Sequence, residues 1–151
     1  MLIATKVRLY PTPEQSRFLN GQFGVVRFCY NKAVALKRDF YGRKGISLSV
    51  IKEIKPLLSV AKKSRKYGWL SQYDSMSLQE AVRHADTAYK QFFKKEARFP
   101  QFKSKRNRQS SYHCTSLSVG KDFIKIPKCE PIKAVIHRPI QGKVKSITVS
   151  R

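Results

Sequence analysis

The chain opens on a partial alternation. Across Leu2–Tyr10, Lys6 and Arg8 fall on one side and Val7 and Leu9 on the other, the period of a half-buried strand. Thr12-Pro13-Glu14-Gln15 then carries a helix start, with Thr12 at the cap, Pro13 at the first helical position and Gln15 at capping-box spacing. Phe18, Leu19 and Phe23 follow on one face of that helix. Gly21 and Gly24 predict a break or bend, since glycine costs about 1 kcal/mol in a helix interior. A second helix is expected through Val26, Tyr30, Ala33, Val34, Lys37 and Tyr41, stopped by Gly42-Arg-Lys-Gly45. A third should run from about Ser49 to Lys66, with Ile51, Ile54, Leu58 and Ala61 as its apolar stripe. Pro56 makes it short, kinked or divided. The fourth is the best defined: Leu78, Ala81, Val82, Ala85, Ala88, Tyr89, Phe92 and Phe93 recur at three and four. Asp74–Ser77 offers its caps, and Ser77 and Glu80 again have capping-box spacing.

After Pro100 the pattern changes. Residues 101–113 are polar and basic, and from Ser116 short strands are predicted at 116–119, 123–126, 133–137 and 145–149. Lys121-Asp122 and Gly142-Lys143 read as turns between them. One strand, four helices and about four strands make an α+β chain. Its natural packing joins the first strand to the late ones in a small β-barrel, with the helical bundle inserted between.

Charge changes this picture most. Lysine and arginine number 32 against 9 acids, a formal net charge of +23 and a pI of about 10.4. Apolar residues at 41% and aromatics at 11% are enough for a folded core, so the field belongs to a globular unit and calls for a polyanion. No run of about 18 apolar residues is present, which excludes a membrane span. Lys6 and Arg8 stand where a secretory signal needs apolar residues, and a cytoplasmic location is expected. Cys29, Cys114 and Cys129 form no CxxC pair, and His84, His113 and His137 have no metal-ligand spacing. Neither a metal nor another cofactor is expected.

Catalysis lacks a constellation. Glu14, Glu80, Asp86 and Glu96 fall on predicted helices, Asp86 with Lys90 at i+4 as an ion pair. Asp74 reads as a cap, Asp122 as a turn residue and Glu130 as a loop residue. Nucleic-acid binding fares better. From Lys94 to Arg108, seven of fifteen residues are basic (Lys94, Lys95, Arg98, Lys103, Lys105, Arg106, Arg108), and Glu96 alone is acidic. Phe99, Phe102 and Tyr112 lie among or beside them. Cations on phosphates release counterions, and aromatic rings stack on unpaired bases. Phe92, Phe93 and Phe99 nevertheless read as core. A second patch comprises Lys62, Lys63, Arg65 and Lys66, for which phosphate contact and a solvated face are equally open. The late strands add Lys121, Lys125, Lys128, Lys133, Arg138, Lys143 and Lys145 against Asp122 and Glu130.

Arg8-Leu-Tyr-Pro-Thr-Pro-Glu-Gln15, then Phe23-Gly24 with Arg27-Phe-Cys-Tyr-Asn31, resembles the opening of transposon-encoded TnpB (OrfB) proteins. The likeness continues in order through Trp69-Leu70, Ser77-Leu-Gln79, Ala88-Tyr89 with Phe92-Phe93, Phe99-Pro-Gln-Phe-Lys-Ser-Lys105, Ile124-Lys-Ile-Pro-Lys128, His137-Arg138 and Gly142-Lys143. The resemblance implies the nucleic-acid-binding part of an RNA-guided DNA endonuclease. A wedge-type barrel would comprise residues 1–10 and 102–151, with a helical recognition domain inserted over 11–101. Guide-type RNA and DNA are the implied partners, and Gln79 matches a position that faces DNA flanking the target, a solvated helix glutamine being the alternative reading. The family's RuvC-like nuclease and zinc ribbon lie downstream of Arg151, so cleavage by this stretch alone is not expected. Two other readings stay open: a helix-turn-helix binder of duplex DNA built on Pro13–Tyr41, and a structural or ribosome-associated RNA-binding protein.

Overall fold

The computed structural model describes residues 2–106 and 110–151. Strand β1 (Arg8–Tyr10) leads into helix α1 (Pro13–Lys44). The capping box is formed as the sequence predicts. The Thr12 hydroxyl accepts from the Gln15 N–H at 3.2 Å, and the Gln15 side-chain oxygen accepts from the Thr12 N–H at 2.9 Å. Gln15 also donates to the carbonyls of Glu130 and Pro131, at 3.2 and 3.0 Å, fastening the helix start to a distant loop.

The expected break at Gly21 and Gly24 does not occur, and α1 is one helix of 32 residues. Tertiary packing overrides glycine's weak propensity here. Tyr73 lies over Gly21, where an added Cβ would come within 2.5 Å of its hydroxyl oxygen, and the Tyr73 ring stacks on Phe18 at 5.8 Å. Gly24 has no such neighbour, the nearest atom to an added Cβ being 3.8 Å away. Gly24→Ala should therefore stabilise the fold by about 1 kcal/mol, whereas Gly21→Ala should destabilise it by about 1–3 kcal/mol through overpacking. Urea unfolding of the two variants checks the opposite signs. Gly45, at φ 66, ends the helix in the left-handed conformation.

Pro56 divides the next region, as its missing N–H requires. A wide π-type turn over Val50–Ile54, capped by Ser49, runs into helix α2 (Lys55–Lys63). A short 3₁₀ turn, Gly68–Gln72, leads to helix α3 (Ser75–Phe93). Asp74 is the α3 cap, accepting from the Met76 N–H at 3.2 Å. Ser77 is not a cap. It is buried in the first turn, its hydroxyl 2.5 Å from the Asp74 carboxylate and 2.9 Å from the His113 carbonyl.

Five further strands follow: β2 (Ser111–Cys114), β3 (Ser118–Val119), β4 (Phe123–Lys125), β5 (Ile132–Val135) and β6 (Ile147–Ser150). The first strand does join the late ones. Antiparallel pairing gives a four-stranded sheet in the order β1-β5-β4-β3, with Leu9 opposite Ala134. The expected barrel is corrected, however, because β2 and β6 pair separately as a two-stranded ribbon and neither sheet closes. Strands of two to four residues are too short to carry the continuous stagger that closure needs. Strand β2 lies in the stretch read as polar; Tyr112 and Cys114 alternate inward and pair with Val149 and Ile147.

One core spans both parts. Leu19, Phe23, Val26, Tyr30, Ala33 and Val34 of α1 face Leu78, Ala81, Val82, Ala85 and Tyr89 of α3, and the Tyr89 hydroxyl donates to the Val34 carbonyl at 2.8 Å. Among the described residues no helix is long and apolar enough to cross a membrane.

Candidate nucleic-acid interface

The densest basic stretch begins where α3 stops. Lys95 adopts φ 62 and its N–H donates to the Phe92 carbonyl at 3.0 Å, so the chain turns away from the helix axis. Lys94, Lys95, Arg98, Lys105 and Arg106 are all exposed. Lys103 is half-buried and held by α1: its backbone N–H donates to the Asn31 side chain at 2.8 Å, and Asn31 donates back to its carbonyl at 2.9 Å. Its amine lies 4.3 Å from the centre of the Tyr30 ring. Arg108 falls outside the described residues.

Two aromatic expectations change. Tyr112, a candidate stacking residue, is 4% exposed and packs edge-on to Phe23 at 5.6 Å, so no base can reach its ring. Burial also pushes its phenol far up. Phe93 and Phe99, read as core, are 64% and 37% exposed. Phe99 is steadied by edge contacts with Phe92 at 5.2 Å and Tyr89 at 5.6 Å.

A second group converges between α2 and α3. Lys62 and Gln79 both reach Ser75, donating to its hydroxyl at 3.0 and 3.4 Å. They line an open groove of about 380 Å³ with Ile51, Lys55 and Ser59. Burial, and next Lys128, hold the Lys62 amine below its ordinary range, against the opposing pull of the Cys29 thiol and Asp74. Lys55 and Lys62 both line the groove, so two cations border the same volume, an arrangement that an anion relieves. Lys63, Arg65 and Lys66 lie exposed beside it.

The late lysines divide. Lys128, at φ 61, donates its amine to the Ser71 carbonyl, and Lys125 donates to the Cys129 carbonyl; both contacts brace the protein's own backbone. Lys121, in the turn between β3 and β4, and Lys143 and Lys145, near β6, are exposed on separate loops.

Several contributors escaped sequence reasoning. Arg38 of α1 covers the Phe102 ring at 4.8 Å, and Lys37 lies 5.4 and 5.9 Å from the Tyr89 and Phe93 rings. Lys32 and Lys66 flank the Tyr67 ring at 5.6 and 5.3 Å. A hydrogen bond from Lys32 is the chief reason the Tyr67 phenol falls below its usual range. The i,i+4 spacing of Phe28 and Lys32 was the available sign, but the loop that completes the patch lies some 35 residues away.

Burial raises the Cys29 thiol to about 12 and the Cys114 thiol to about 11, so neither is a ready nucleophile. Among the described residues no three His, Cys, Asp or Glu side chains gather to hold a metal.

Residues 1–45 match a helix-turn-helix domain family, that of OrfB from IS605, although here the stretch folds as β1 and a single uninterrupted helix. The virulence protein VsdF of Salmonella dublin is 53% identical over 116 residues, 72% of this chain and 98% of its own length. A Streptomyces pristinaespiralis protein with the provisional name RNA-guided DNA endonuclease is 33% identical over 98% of this chain. InsQ of Escherichia coli K12, with the same provisional name, is 28% identical over 99%. This chain spans 38% of the length of each of those two. The ordered residue pattern, the N-terminal domain match and these full-span likenesses agree: the chain belongs to the TnpB/OrfB family, as its N-terminal part.

Proposed function

We propose that this chain binds a guide-type RNA together with adjacent DNA, and that it does not cleave DNA by itself. Family membership and the helix-turn-helix match support the coarser statement, a DNA-binding, transposon-associated protein; the guide RNA is the finer step. One observation carries it, the imbalance of surface charge. Nine carboxylates face 32 cations, and several of the nine are already engaged: Asp39 with Arg38, Glu80 with Arg83 and His84, Asp86 with Lys90, and Asp74 in its cap. The exposed runs at 63–66, 94–98 and 105–106 therefore keep their charge for phosphates.

In this reading the exposed lysines and arginines hold the backbone, and Gln79, with both amide donor and acceptor groups at the groove, faces bases of the DNA flanking a target. Residues 1–10 and 102–151 act as a wedge-like unit and 11–101 as the recognition part. The pairing of β1 with β5 supports that division.

A duplex-DNA binder of helix-turn-helix type is the second reading, favoured by the family description of residues 1–45. Competition at low salt between structured RNA and a blunt DNA duplex separates the two. Preference for the RNA by tenfold or more is expected on the order of one lost base-stacking contact. Preference for the duplex would install the second reading, and failure to bind either would overturn both.

A further inference from the structure

Phenylalanines at and beyond the end of α3 stay exposed although side chains of the fold touch them. Phe93 is 64% exposed and Phe102 49%. In water such rings are a cost, and grouped they mark an interaction surface. The neighbouring rings hold them in place. Phe93 lies 5.5 Å from Phe92 and 6.3 Å from Tyr89, and the Arg38 guanidinium covers one face of Phe102. Phe99, between them in sequence, packs edge-on to Phe92 and Tyr89.

The charge around these rings selects the partner. From Lys94 to Arg106 six residues are basic and Glu96 alone is acidic. Lys94, Lys95 and Arg98 are exposed within six residues of Phe93. An apolar face of a protein partner would bring no counter-charge for them. A duplex would neutralise the cations and leave the rings unused, because its base faces are already stacked. An unpaired strand satisfies both at once, with phosphates on the cations and bases on the rings.

We infer that Phe93, Phe99 and Phe102, with Lys94, Arg98 and Arg38, form a stacking platform for a single-stranded segment of nucleic acid. This deepens the proposed function and rests on it. The platform does not require a base sequence, since every base offers a π-face. It is also separate from the groove that holds Gln79.

The test uses fluorescence anisotropy with a labelled oligouridylate of about twelve nucleotides, within the range one such surface covers, and a blunt duplex of similar length. The variant Phe93→Leu with Phe102→Leu keeps apolar bulk and removes the rings. Phe93 is mostly exposed and Phe102 about half exposed, and circular dichroism confirms that the variant is folded. Its affinity for the single strand should fall on the order of tenfold or more, with duplex binding changed by less than about twofold. Lys94→Ala with Arg98→Ala should weaken both ligands together. Single-strand affinity unchanged in the leucine variant would overturn the inference and mark the patch as an apolar docking face. Wild-type protein that binds duplex but not the single strand would overturn it while leaving nucleic-acid binding intact. Binding to neither ligand would overturn the proposed function as well.

Discussion

Raising monovalent salt from about 50 to about 200 mM should weaken binding to structured RNA by about a thousandfold. The size follows from counting cations that the protein does not use itself. Lys63, Arg65, Lys94, Lys95, Arg98, Lys105 and Arg106 are exposed. If about seven of them each neutralise a phosphate, the slope of log affinity against log salt is about −5 for a single-stranded or mixed ligand. A fourfold rise in salt then removes about three decades. Individual lysines should divide as their contacts do. Lys94→Ala should make the slope shallower by about 0.7, because its amine is free to meet a phosphate. Lys125→Ala should leave the slope unchanged, because that amine is already bonded to the Cys129 carbonyl. A slope shallower than about −2 would show that phosphate contacts are not the main source of affinity. Equal effects of Lys94→Ala and Lys125→Ala would reject the assignment of Lys125 to a bracing role.

The legible parts of this protein are those where local chemistry decides. The capping box at Thr12, the division of the helix at Pro56, the long apolar stripe of α3 and the hairpin turn at Lys121-Asp122 all follow from neighbours within four residues. The parts that did not follow depend on distant partners. Gly21 looks like a helix breaker until Tyr73, 52 residues later, packs on it. Tyr112 looks like an exposed ring among cations until Phe23 of α1, 89 residues earlier, packs against it. Strand β2 hides because a short strand with Ser and His facing outward has too little apolar content to stand out from a loop.

The site followed the same rule. Composition and the run from Lys94 to Arg108 located a polyanion surface, but not its form. Which rings escape the core, and what touches them, depends on side chains from α1 that meet residues 92–103 only after folding. Lys37, Arg38 and Asn31 are the examples. The resemblance to a known family gave the order of parts. It could not say that the late strands remain as two open sheets.

Asp74→Ala should destabilise the fold by about 3 kcal/mol, more than any surface substitution proposed above. Asp74 is 4% exposed and joins three elements. Its own N–H donates to the Gln22 side chain of α1 at 3.2 Å, its carboxylate caps α3 through Met76, and the Ser77 hydroxyl meets it at 2.5 Å. That hydroxyl also lies 2.9 Å from the His113 carbonyl of β2. It carries one proton for two acceptors, and the charged one takes it. Removing the carboxylate leaves the Met76 N–H without its cap, costing about 1 kcal/mol. It also removes a charge-assisted hydrogen bond in a buried setting, worth about 1.5–3 kcal/mol. The Ser77 proton then turns to His113, which recovers part of the loss. Gln22 gives no help, since its amide nitrogen is buried without an acceptor among the described residues. Asp74→Asn separates cap from charge. Asparagine caps as well as aspartate, so that variant should lose only about 1 kcal/mol, the difference between a charged and a neutral acceptor. Urea midpoints of the two variants decide the matter. If Asp74→Ala unfolds within about 0.5 kcal/mol of the parent, this node does not hold the helices to the sheet. If Asp74→Asn is as damaging as Asp74→Ala, the buried negative charge facing Lys62, and not the cap, is what the fold requires.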